Sequence, residues 1–177
     1  MPVLSDACEL DAYARILFQV ATTTRRRSME LLQCNCSFLR SATRALTQAY
    51  DEVLRPSGLR MTQFSMLARA SAVGEISLSE LADLMAMDRT TLGRNLRPLE
   101  REGLVQVDIG EDRRERLVTV TPAGAKALAS ALPLWEQVHQ RFERKVGKRE
   151  AKELRFALKR LVSVGRELSA ENACHPQ

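Results

Sequence analysis

The stretch EISLSELADLMAMDRTTLGRNLRPLEREGLVQVDIGEDRRERLVTVTPAG, residues 75–124, decides how the chain folds. Ser77-x-x-Glu80 is a capping-box pattern ahead of Leu81, Leu84 and Met85, so a short amphipathic helix opens there. Met87 and Asp88 form a tight turn, with Asp88 as N-cap of the next helix. Leu92, Leu96 and Leu99 recur at spacings of four and three and give that helix a core face. Its other face carries Arg89, Thr90, Thr91, Arg94, Asn95 and Arg97, and Gly103 stops it. Pro98 deletes the bond to the Arg94 carbonyl, which predicts a bend. Val105, Val107 and Ile109 alternate as a strand, as do Val118 and Val120, with the turn-rich Gly110-Glu111-Asp112 between them. Helix, turn, helix and basic β-hairpin make the layout of a winged helix-turn-helix. Such a unit presents its second helix to the major groove of duplex DNA.

Outward from this unit the pattern is helical. Phe38, Leu39, Ala42, Ala45, Leu46 and Ala49 stripe a first helix over Cys36–Leu54, which Pro56 and Gly58 stop. A second helix starts near Thr62 as N-cap, carries Phe64, Leu67 and Ala68 inward, and ends at Gly74. Thr121-Pro122 pairs an N-cap with proline at the first helical position and opens a fifth helix to about Lys145, bent at Pro133. Gly147 separates it from a sixth, Lys148 to Leu168, with Leu154, Leu158, Leu161 and Val162 inward. The last residues, 169–177, read as a frayed tail. Before all this, Leu10, Tyr13, Leu17 and Val20 share one face of a short N-terminal helix, followed by the basic linker TTTRRRS. Residues 1–33 thus form an N-terminal extension. Met29 follows the linker directly, so the first 28 residues are either a dispensable extension or the product of a misassigned start. The predicted class is mainly α (α+β), with the winged helix-turn-helix at 61–121.

Composition sets the class of partner. The chain of 177 residues is 45% apolar and 28% charged, an ordinary globular balance. Its apolar runs are too short and too interrupted for a membrane span or a secretory signal, which predicts a cytoplasmic protein. Net charge is +5 and the sequence pI about 9.3, compatible with a polyanionic partner. The excess is arginine: Arg25, Arg26 and Arg27 cluster once, and Arg94, Arg97, Arg101, Arg113, Arg114 and Arg116 fall in the helix–wing region. Cys8, Cys34, Cys36 and Cys174 read as free thiols, and with only His139 and His175 no metal site is expected. No cofactor motif is present either.

The interface candidates follow from base chemistry. Arginine forks onto guanine, threonine reaches bases or phosphates, and Asn95 has the amide that pairs with adenine. Arg89, Thr90, Thr91, Arg94, Asn95 and Arg97 are therefore the groove candidates, with Ser77 counted beside them at the start of the preceding helix. In the wing, Glu111, Asp112 and Glu115 balance Arg113, Arg114 and Arg116 by count. Two readings stand: a surface turn held by local ion pairs, or Asp112 fixing one wing arginine while another, Arg114 foremost, enters the minor groove.

The runs LSELADLMAMDRTTLGRNL, LRPLEREGLV (96–105) and DRRERLVTVTPAG (112–124) resemble the MarR family of bacterial transcriptional regulators, and YDEVLRPSGLRMTQFSML (50–67) extends the likeness over roughly residues 34–168. The resemblance implies a homodimer whose dimerisation lobe is built from 34–60 and 122–168, bound to a pseudo-palindromic operator in double-stranded DNA. Half-sites would lie one helical turn, roughly 34 Å, apart. Asp112 and Arg114 match the family's wing pair. Cys36, with Tyr50 fourteen residues on, resembles the thiol site of the family's organic-hydroperoxide-sensing branch, although Arg40 stands where a second tyrosine is expected. Against that, Cys34 and Cys36 also suit a packed dimer interface. A spacing of two disfavours a disulfide inside one helix, so oxidation would run through sulfenic acid or an intersubunit bond. Members of the family often bind small phenolic or anionic ligands in a cleft near which Met61, Met66, Met85 and Met87 fall, though core packing explains methionine as well. The rival class is an enzyme, a thiol peroxidase using Cys36; no paired base or cofactor motif supports it.

Overall fold

The computed structural model describes residues 33–174, so the expected N-terminal helix at 9–20 and its basic linker lie outside the described residues. The chain divides into two compact units, Met1–Leu46 and Thr47–Gln177. In the first, the described residues are the start of helix α1 (Asn35–Leu54), whose Phe38 is exposed. In the second, the end of α1 buries Leu54, and a single 3-10 turn at Arg55–Ser57 closes on Gly58, whose φ of +77° suits glycine.

Helix α2 (Met61–Val73) is capped at Arg60, two residues earlier than its threonine suggested. Gln63 Oε1 accepts the Arg60 N–H at 2.9 Å and Asp51 Oδ1 accepts the Met61 N–H at 2.6 Å. Those two acceptors satisfy donors at the helix start, which leaves Thr62 inside the first turn rather than at the cap. Strand β1 (Ile76–Ser77) then leads into α3 (Leu78–Leu84) through the capping box: Ser77 Oγ accepts from the Glu80 N–H at 3.1 Å, and Glu80 Oε2 accepts from the Ser77 N–H at 3.1 Å. The turn after α3 is closed by bonds from the Ala86 and Met87 N–H groups to the carbonyls of Asp83 and Ala82, with Ala86 itself left-handed at φ +51°.

Helix α4 (Arg89–Arg101) is capped by Asp88, whose Oδ1 accepts the Thr91 N–H at 2.8 Å and whose Oδ2 accepts the Thr91 hydroxyl at 2.6 Å. It continues through Pro98 to Arg101, so losing one backbone bond does not end it. Strands β2 (Val105–Ile109) and β3 (Arg116–Val120) pair antiparallel with Val107 opposite Val118. The short β1 adds to β3 on the far side, giving the order β1-β3-β2. Helix α5 (Pro122–Val146) likewise runs on through Pro133, and α6 (Lys148–Cys174) extends beyond Leu168, so much of the expected tail is helical.

Leu54, Met66, Leu67, Leu81, Leu92, Leu99 and Val118 are fully buried in one core. On α6 only Ala151 is buried. Leu154, Leu158, Leu161 and Val162, expected inward, are 38–43% exposed. The helical period identifies an apolar face but not what covers it, and here no described residue of this chain does. At the other end of α5, the chain is stitched tightly to the sheet. Thr121 Oγ1 donates to the Gly103 carbonyl at 2.6 Å, its N–H donates to the Leu104 carbonyl at 3.1 Å, and it accepts the Gly124 N–H at 3.1 Å. A Cβ on Gly124 would lie 2.9 Å from the Leu104 carbonyl carbon.

Two outcomes follow. Gly124→Ala forces backbone apart and destabilises by about 1–3 kcal/mol, read as a drop in Tm by calorimetry; an unchanged Tm would show that the junction yields. The Thr91 bonds hold the Asp88 carboxyl below its ordinary value, and those from Ser77 do the same for Glu80. Both groups are ionised in the native state. Their stabilisation is complete above the unfolded carboxylate range and is lost as pH falls through the lower folded values. Asp88→Asn keeps a cap acceptor but removes the titration, so its stability profile below pH ~4 should be flatter than wild type in acid titrations followed by circular dichroism.

Candidate nucleic-acid interface

Because Leu92, Leu96 and Leu99 are buried, the opposite face of α4 must point to solvent. Arg89, Thr90, Arg94 and Arg97 fall on that face, at spacings of three and four that stack them over successive turns. They line a groove of about 610 Å³ that also takes in Gly93, Glu100 and, from β3, Arg116. Its apolar lining comes from Leu78, Leu96 and Val107. Among the described residues none of these four arginines forms an ion pair, so Glu100 is the groove's sole countercharge. A concave surface with unpaired guanidinium groups attracts an anion, and its low-dielectric walls focus that attraction.

The structure sorts the remaining candidates differently. Ser77 is buried, and its hydroxyl donates to Glu80 Oε2 at 2.8 Å; it supports α3 and offers nothing to the groove. Thr91 is exposed, but its hydroxyl proton is held by Asp88. Asn95 is half-buried, with Nδ2 3.6 Å from Met87 Sδ, so its amide faces the turn between α3 and α4. These three residues build the helix-turn-helix from within. Gly93 and Leu78 went unnoticed in the sequence, because neither has a polar group to mark it.

In the wing, Asp112, Arg113 and Arg114 sit exposed at the tip between β2 and β3. Asp112 Oδ1 accepts the Arg114 backbone N–H at 2.9 Å, so it shapes the turn rather than gripping a guanidinium. The turn is closed further by the Glu115 N–H on the Asp112 carbonyl at 2.8 Å and the Gly110 N–H on the Glu115 carbonyl at 3.2 Å. Arg116 Nη1 donates to the carbonyls of Arg113 and Glu115, each at 3.3 Å. No ion pair joins the wing charges among the described residues, and the Arg113 and Arg114 side chains project beyond the turn unengaged.

The thiols are elsewhere. Cys34 and Cys36 are both exposed. Cys34 precedes α1 and caps it through its carbonyl, which accepts the Phe38 N–H at 3.2 Å. The objection to a bond between two residues at this offset inside one helix therefore does not apply to it. Cys36 lies in the first turn and lines a groove of about 320 Å³ with Leu39, Arg40, Thr43 and Arg44. Tyr50 is half-buried; burial pushes its phenol up, Glu143 adds to the effect and Arg155 opposes it. Of the methionines, Met66 is fully buried, and Met61, Met85 and Met87 pack against the same core, the ordinary role of that side chain. Among the described residues no His, Cys, Asp and Glu group is arranged to hold a metal, and no helix is long and apolar enough to cross a membrane.

Residues 59–115 match the family model described as the MarR family, which takes in α2 through the wing tip. The transcriptional regulator MosR of M. tuberculosis, solved in complex with DNA, is 41% identical, with a TM-score of 0.71 over 76% of this chain and 98% of that one. A mutant MarR from E. coli complexed with operator DNA shares the fold at 24% identity, with a TM-score of 0.64 over 71% of this chain and 91% of that one. YwoH of Bacillus subtilis, an uncharacterised HTH-type transcriptional regulator, is 31% identical over 88 residues, half of this chain and 64% of that protein. With near-complete coverage of a relative at 41% identity, the chain belongs to the MarR family.

Proposed function

We propose that the protein is a sequence-specific, double-stranded-DNA-binding transcriptional regulator that acts in the cytoplasm as a homodimer. One observation carries this: Arg89, Arg94, Arg97 and Arg116 converge on one groove of the winged unit, and none of them forms an ion pair among the described residues. Three of these arginines stand on a helix of the right width for the major groove, with Arg116 beside them on β3. The relatives point the same way, since MosR and MarR are described in complex with DNA. Arg94 and Arg97 read base edges from α4, Thr90 adds a short contact near its start, and Arg114 with Arg113 reaches the neighbouring minor groove from the wing. This is a binding role and calls for no chemistry on a substrate.

The dimer accounts for α6. Leu154, Phe156, Leu158, Leu161, Val162, Val164 and Leu168 are all exposed on it. A run of that size on one helix is more than a monomer leaves in water. A second copy covering it places two winged units on a pseudo-palindromic operator, with half-sites roughly 34 Å apart. A small-molecule effector, phenolic or anionic, releases the operator by binding the other spacing of the two units better. CouR, a family structure at 22% identity, is described bound to p-coumaroyl-CoA. A second reading, in which oxidation at Cys36 supplies that signal, is favoured by the exposure of both thiols.

Arg94→Ala is expected to cost about 1–3 kcal/mol on the selected operator and to relax preference at one base pair, while Arg114→Ala weakens all duplexes alike and lowers the salt slope by about 1. Fluorescence anisotropy across a salt series checks both; wild-type behaviour from both variants would sink the assignment. Leu158→Glu places a charge in the α6 face and should shift the protein from dimer to monomer in sedimentation, with operator binding falling in parallel. Under the thiol reading, organic hydroperoxide abolishes binding by wild type and spares Cys36→Ser.

A further inference from the structure

We infer that Gly93 sets how deeply α4 enters the major groove, and so acts as a specificity-determining position of the interface. The inference rests on the DNA-binding reading above. Glycine in the body of a helix is destabilising relative to alanine, because it loses more freedom on folding and contributes no side chain. A fold keeps one there when the backbone needs a left-handed φ or when a Cβ would collide. Neither holds at Gly93. It is absent from the glycines with positive φ, and a Cβ built on it meets nothing within 4 Å. Gly124 is the contrast, since its Cβ would strike the Leu104 carbonyl. The protein itself therefore gives no reason for glycine at 93.

The surroundings do. Gly93 lies one turn beyond Arg89 and Thr90, one turn before Arg97, and next to Arg94, all lining the same groove. The other helical glycine with open space, Gly165 on α6, does not line this groove. A helix with its side chains is about 10–12 Å across and the major groove about 12 Å wide, so insertion is sterically limited. A bare backbone in the middle of the inserted face lets the axis approach the base edges by about the thickness of a side chain. That brings the short Thr90 within reach of bases and lets Arg94 fork onto an edge rather than stop at phosphate. Phosphate contacts, which sit further out, do not depend on this approach.

The test uses the full chain, Gly93→Ala and Gly93→Leu, with two probes: a duplex selected from a random pool by the wild-type protein, and its scrambled counterpart. Gly93→Ala should raise Tm by a few degrees, as expected for replacing an unstrained helical glycine. It should also weaken selected-duplex binding about tenfold, and Gly93→Leu about a hundredfold or more, the scale of one or two spoiled base contacts. Scrambled-duplex affinity should stay within about twofold, because it is carried by phosphates. A more stable protein that binds its selected site worse excludes misfolding as the cause. Wild-type affinity and preference in Gly93→Ala would overturn the inference while leaving the regulator intact, and so would a fall in Tm. If the wild-type protein selects no sequence at all, the DNA-binding reading falls, and this inference with it.

Discussion

Leu92, Leu96 and Leu99 lock the azimuth of α4, and every contact ascribed to the interface depends on that. Each is essentially fully buried, and burying a leucine side chain is worth about 1.5–3 kcal/mol. Turning α4 by one residue, about 100°, would bring this stripe to the surface and turn the arginine face into the core, where unpaired guanidinium groups are intolerable. The loss from the leucines alone is comparable to the total stability of a typical domain. Arg89, Arg94 and Arg97 need no directing interaction of their own. They point outward because the leucines point in.

That division explains which polar residues are left open to solvent and which serve the fold. Residues near the helix starts are drawn into capping, because the first turn of a helix leaves N–H groups without partners. Ser77 and Glu80 satisfy α3, and Asp88 with Thr91 satisfies α4. Their side chains are then committed to short local bonds. Long side chains one turn further on have no backbone group left to serve and reach outward. The wing follows the same rule: Asp112 is occupied by a backbone N–H and Arg116 by two backbone carbonyls, and Arg113 and Arg114 are left on the solvent side.

The elements themselves were legible in the sequence because each carries its own local signal. Period, cap residue and turn residue marked α3, α4, the hairpin and the start of α5, and all four appear where those signals lie. What escaped depends on partners distant in the chain. Strand β1 is only two residues long and exists through pairing of Ile76 with Val118, a relation no local pattern contains. The start of α2 moved because Asp51, ten residues away, supplies an acceptor. The α6 stripe was visible as apolar, but its exposure was not, since periodicity says nothing about what lies opposite. Within the site, the arginines could be singled out by charge and spacing. Ser77 and Asn95 could not be excluded without seeing their neighbours, and Gly93 carries no chemical group that would draw attention to it.

The elements around α4 are joined by attachments of unequal strength. On α5, Trp135, His139 and Glu143 recur every four residues and form a column. Trp135 stacks on Phe64 of α2 with centroids 5.8 Å apart and on His139 at 4.6 Å, and Glu143 accepts from Arg155 of α6 at 3.1 Å. A second tie joins α6 to the winged unit, where Arg166 Nη2 donates at 2.8 Å to the Asp83 carbonyl at the end of α3. That site favours a cation, but Arg166 and Asp83 are both largely exposed, and such a tie is worth about 0–1 kcal/mol. The apolar face of α6 outweighs it, since each large side chain covered there contributes more than the whole tie. A partner helix covering this face would therefore outweigh the tie at Asp83 in setting where α6 lies. Helix α2, at the far end of the stacked column, packs against α4, whose leucines fix the arginine face.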